Sequence, residues 1–151
     1  MDMKIYQKEE LRGTQYIELT HFPADQKANA WNNESLYMTD TVFSLVFSYP
    51  FHGASNKYDL FGFAEFKKQE QEKLLLQLIK NGEAIDKLES YTEVIEFSNR
   101  SGNEYNFIDL IPKDKTSISN ILTSMRDLNS AVINYVKDSI TKNHTLAVLG
   151  L

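Results

Sequence analysis

The side chains in this sequence best suited to chemistry are three histidines, His21, His52 and His144, and an acid-rich group made of Asp59 and the triplet Glu65-Phe66-Lys67. An acid followed by an E-x-K pair at the end of a strand is the set with which metal-dependent nucleases hold Mg²⁺ and activate water. The pattern has little specificity, because 21 acids and 16 bases in 151 residues make such triplets a chance occurrence, and Asp25-Gln26-Lys27 is already a second one. The histidines are far apart, with none at ligand spacing from another, so a zinc site would have to be assembled entirely by tertiary structure. Surface or capping roles are the expectation for them. The chain has no cysteine, which removes thiolate nucleophiles, zinc ribbons, iron-sulfur sites and disulfides together. It also lacks G-x-G-x-x-G, Walker, G-x-S-x-G and H-E-x-x-H patterns. The expectation is a protein with no catalytic residues, no metal and no cofactor.

Charge gives a more pointed reading. The net charge is −5 and the isoelectric point lies near 5.2, which opposes a broad phosphate-binding surface and makes nucleic acid an unexpected direct ligand. Residues 83–111 hold seven acids against two bases, a balance of −5 that equals that of the whole chain. Two readings are open: a solvated face that serves solubility, or a docking surface for a basic partner. On the second reading Glu93, Glu96, Glu104 and Asp109 supply charge, while Tyr105 and Phe107 supply apolar contact.

These residues need elements to position them. Residues 16–22 alternate in part and stop at Pro23, the pattern of a strand. The β-branched and aromatic run 41–49 reads as a buried strand, with helix as the competing assignment. Residues 67–81 read as a helix through Leu74, Leu75, Leu78 and Ile79, with Asn81-Gly82 as its stop and a short second helix over 83–89. The aromatic runs 91–97 and 104–111, separated by turn formers, predict a hairpin that carries the acidic segment. Residues 117–142 step by three or four through Ile118, Ile121, Leu122, Met125, Leu128, Val132, Val136 and Ile140, a long amphipathic helix capped by Thr116 or Ser117. Residues 146–149 form an edge strand or a packed tail. The fold class is α+β, a single domain over 1–151, with an antiparallel sheet and two main amphipathic helices. The sequence has neither an apolar h-region at its start nor a run of apolar residues long enough to span a bilayer, so no membrane association is expected; with the missing cysteines this favours the cytoplasm.

The stretch Phe61-Gly62-Phe63-Ala64-Glu65-Phe66, followed by Lys67-Lys68-Gln69-Glu70-Gln71-Glu72-Lys73-Leu74-Leu75-Leu76-Gln77-Leu78-Ile79, resembles a module of small bacterial immunity proteins, in which an aromatic-glycine segment leads into a charged helix with a leucine-rich face. Those proteins neutralise toxin domains of contact-dependent growth inhibition and other polymorphic toxin systems. The likeness covers roughly residues 36–81. It implies a non-catalytic protein that binds a cognate toxin C-terminal domain, often a basic nuclease, and blocks its active site or substrate groove. It carries over no individual site residue. The rival is an acidic type III secretion chaperone holding an effector segment, similar in length, charge and long C-terminal helix but obligately dimeric. A small-molecule binding domain would need a deep apolar pocket.

Overall fold

A computed structural model describes residues 1–13, 15–60, 62–100 and 107–150, the side chains at 107 and 108 excepted. The elements run β1 (Tyr16–Pro23), β2 (Leu36–Thr39), α1 (Asp40–Ala54), β3 (Phe63–Phe66), α2 (Lys68–Asp86), α3 (Tyr91–Ser98), α4 (Lys115–Thr141) and β4 (His144–Gly150), with short 3-10 turns at Lys8–Glu10 and Phe107–Leu110. The four strands form one antiparallel sheet in the order β2-β1-β4-β3.

The register sorts the sheet into two faces, because strand side chains alternate. Ile17 pairs with Met38, Leu19 with Val148, and His21 with Leu146, while Ala64 and Phe66 meet Val148 and Leu146. These residues share the face on which α1, α2 and α4 pack, and their apolar members, all buried, belong to one continuous core. Phe43, Phe47 and Phe51 of α1 meet Tyr58 and Phe66 in the same core, with neighbouring ring centroids 5.0–6.5 Å apart. The opposite face carries Glu18, Thr20 and Tyr37, and the loop 24–35 folds back toward them.

Four elements differ from expectation. The run 41–49 is helical: Thr39 Oγ1 caps α1 by accepting the Val42 N–H at 3.3 Å, and all of 42–48 is buried, so burial on every side erases the helical period that would have betrayed it. Residue 81–82 does not end α2. Asn81 is buried, and a Cβ at Gly82 would lie 3.0 Å from Asn129 Nδ2, so this glycine permits α2 and α4 to approach closely rather than stopping the helix. The expected hairpin is absent where it can be seen: 91–97 lies in α3 and 107–110 is a 3-10 turn against α1. The reason is an N-cap, in which Ser90 Oγ accepts the Glu93 N–H at 3.3 Å while Glu93 Oε2 accepts the N–H of Glu89, the residue before the cap, at 2.8 Å, starting a helix that buries Val94, Phe97 and Ser98. Finally, β4 lies inside the sheet, between β1 and β3, not at its edge. The long helix α4 matches expectation closely, although its N-cap is Asp114, whose carboxylate accepts the Ser117 N–H at 2.8 Å. Among the described residues no helix is long and apolar enough to cross a membrane.

Candidate partner-binding surface

The acidic residues lie on the elbow between α2 and α3 and beyond. Glu83, Asp86, Glu89 and Glu96 are exposed. Asp86 meets Arg126 Nε of α4 at 3.3 Å, and Glu93 is half-buried because its carboxylate is spent on the α3 cap. Asp109 is exposed in the 3-10 turn, and Phe107 begins that turn. Glu104 and Tyr105 lie outside the described residues, as does Phe61. The structure therefore keeps Glu96 and Asp109 as surface charges and gives Glu93 a structural task. The strand face expected to align Tyr105, Phe107 and Asp109 does not form at 107 and 109, which are helical.

A second constellation is one that spacing could not reveal. His21 of β1 and His144 of β4 are 123 residues apart, yet their Nδ1 atoms lie 2.8 Å apart. His21 Nε2 is 3.1 Å from Asp138 Oδ2 of α4, and Lys142 Nζ reaches the same oxygen at 3.0 Å. With neutral His21 donating from Nε2 to the carboxylate, its Nδ1 must accept, so His144 is assigned as the donor from Nδ1. The His21 pKa is lowered, first by burial and then by the facing His144, against the opposing pull of Asp138. Asp138 in turn is held below the usual carboxylate range, chiefly by Lys142. Behind the pair, Gln71 Nε2 donates to the His144 and Phe66 carbonyls, each at 2.8 Å, and Gln71 Oε1 accepts the Ser139 hydroxyl at 2.6 Å. His52, by contrast, sits exposed at the end of α1 with its ring edge-on to Tyr58. Among the described residues no three His, Asp or Glu converge to hold a metal, and Glu65 meets Lys67 at 3.4 Å.

A third centre is built on Glu18 of β1, which is 0% exposed. Its carboxylate accepts the Trp31 N–H at 2.8 Å, the Asn32 N–H at 3.0 Å and the Ser35 hydroxyl at 2.7 Å. The Tyr37 hydroxyl lies 3.0 Å from Glu18 Oε1 and 2.7 Å from the Asn32 carbonyl, sharing its one proton between them. Burial and the adjacent carboxylate both raise the Tyr37 pKa, so the phenol stays protonated. One buried acid thus pins the loop 24–35 to the sheet. The polar composition of residues 24–35 is that of a loop; nothing in sequence signalled that Glu18 would be its anchor.

No family model, curated protein or solved structure matches this chain.

Proposed function

We propose that this protein is a non-catalytic, stoichiometric inhibitor of a basic partner protein, an immunity protein that neutralises a cognate toxin domain of nuclease type. The observation that carries the reading is the elbow of α2 and α3, where Glu83, Asp86, Glu89 and Glu96 stand exposed along a stretch of chain whose own base is Lys87, with Arg126 of α4 reaching Asp86. A nuclease must present lysines and arginines to hold phosphates, so carboxylates offered at matching positions compete with substrate and speed encounter. The module at 61–79 that resembles those of immunity proteins gives the reading its partner class. The test is to look directly upstream of this gene for a large secreted protein with a basic C-terminal domain, and to co-express that domain with this protein, read as rescue of growth and recovery of a one-to-one complex. Charge reversals Glu89→Lys, Glu96→Lys and Asp109→Lys should each fold and should slow association. If every reversal protects as well as the parent, the elbow is a solvated face and the reading loses its support.

A further inference from the structure

Trp31, the only tryptophan in the chain, is 41% exposed and has a φ of 62°. That left-handed conformation suits glycine or asparagine and is strained for a bulky side chain. It persists because the Glu18 carboxylate grips the N–H groups of Trp31 and Asn32 together. One face of the indole lies over Tyr37, with centroids 6.3 Å apart and planes inclined by 23°. The ring is thus a rigid platform, backed by a buried phenol and turned partly to solvent.

The carboxylate that holds the loop has no cation of its own among the described residues. Backbone N–H donors meet both oxygens of Glu18, the arrangement of a carboxylate anion, and the donors are all neutral. Among the described residues no Lys, Arg or His forms an ion pair with it. Buried charges are ordinarily paired. The loop that Glu18 holds adds Asp25 and Glu34 against Lys27, on a molecule of net charge −5. A π-face draws a cation for the same electrostatic reason as an unpaired carboxylate, and a guanidinium can also stack flat upon it.

We propose that Trp31 is a docking anchor for an arginine side chain of a basic protein partner, the guanidinium lying on the solvent-turned part of the indole. The proposal rests on the inhibitor reading for the partner's class but uses a surface separate from the acidic elbow. Strain held by a buried clamp means the aromatic is pre-ordered, so little conformational freedom remains to be lost on binding.

The test uses the single tryptophan as reporter. A short capped oligo-arginine peptide titrated at low salt should give a saturable change in Trp31 emission, whereas oligo-glutamate and a single-stranded oligonucleotide should give none. Labelled-peptide anisotropy should show binding about tenfold weaker in Trp31→Ala, the loss expected for a well-desolvated cation–π contact. Trp31→Gly, which adopts the left-handed φ without strain, should keep cooperative melting and lose the same binding, separating recognition from folding. Equal binding by either variant, no saturable response to oligo-arginine, or preference for the oligonucleotide overturns the proposal. Because the peptide assay needs no toxin, peptide binding without growth rescue would sink the inhibitor reading alone. Rescue without peptide binding would sink only the arginine anchor.

Discussion

At the scale of single residues, the burial of His21, reinforced by the facing His144, adds an acid-sensitive contribution to stability. The folded-state pKa of His21 is depressed, so between the ordinary histidine value of 6.5 and that lower value the unfolded chain binds more protons than the folded one. Stability from this group is complete above the ordinary histidine range and is lost as pH falls through it. A series of chemical denaturation midpoints from pH 7.5 to 5 should therefore decline for the parent protein, and decline less for His21→Gln. Parallel slopes for the two proteins would show that the pair does not govern acid sensitivity. The pair also marks where sequence reading stops. Nothing local joins positions 21 and 144; only the register of β1 with β4, in which Pro23 lies opposite His144, brings the rings together. Glu18 was equally opaque, since a lone acid in an apolar strand gives no hint of which backbone amides will come to it. Glu96 and Asp109, exposed as a charge count anticipates, were legible because solvation needs no tertiary knowledge.

At the scale of elements, α1 and α2 are joined through a defect. Pro50 lies inside α1 and has no N–H, so the Val46 carbonyl one turn earlier has no intrahelical donor. Asn81 Nδ2 of α2 donates to it at 3.1 Å and to Asn129 Oδ1 of α4 at 2.9 Å, while Asn129 Nδ2 returns to the Leu78 carbonyl at 3.0 Å. Arg100 completes the set by donating to Asn81 Oδ1 at 2.6 Å, its guanidinium held between the Tyr49 and Phe97 rings. Burial lowers the Arg100 pKa from its usual value without making it neutral at physiological pH. Asn81→Ala should destabilise the fold by about 1–3 kcal/mol for each buried group left unpaired. Pro50→Ala gives Val46 an intrahelical donor, so Asn81→Ala should be less harmful in that background. A double-mutant cycle by urea unfolding measures this coupling, and strict additivity would mean the carbonyl gap is not what Asn81 fills. Reading the sequence found α4 to within two residues at its start because its apolar stripe is long and one-sided. It misread α1, buried all round, and α3, whose Ser90-x-x-Glu93 cap was written in the chain but outweighed by aromatic and β-branched residues.

At the scale of the whole molecule, α+β architecture and an acidic surface combine with an interior whose polar groups are tied to one another. Gln71, Asn81, Asn129 and Ser139 are all buried, and each bridges different elements. Such fully connected layers fix one packing of three helices on a sheet, because any slip strands a polar atom. The purified protein should show no hydrolysis of DNA, RNA or simple glycosides, with or without Mg²⁺. The decisive contrary result is metal-dependent cleavage that disappears in Asp59→Ala or Glu65→Ala. Salt should matter to its encounters more than to its folding, since its exposed ion pairs, such as Asp86 with Arg126, contribute little to stability.

The position of β4 has a consequence for how the protein comes into being. Its residues 144–150 lie between β1 and β3, pairing Ile17 with Gly150 and Phe63 with Leu149. During synthesis β1, α1, β3 and α2 all leave the ribosome before the strand that unites them. Until then the only sheet available is the two-stranded β1–β2 ladder, a unit of marginal stability by itself, with Ile17 and Leu19 lacking their neighbours along its inner edge. The nascent chain thus passes through an interval in which β1 waits for a partner more than a hundred residues away, its inner edge open to non-native pairing until β4 is made.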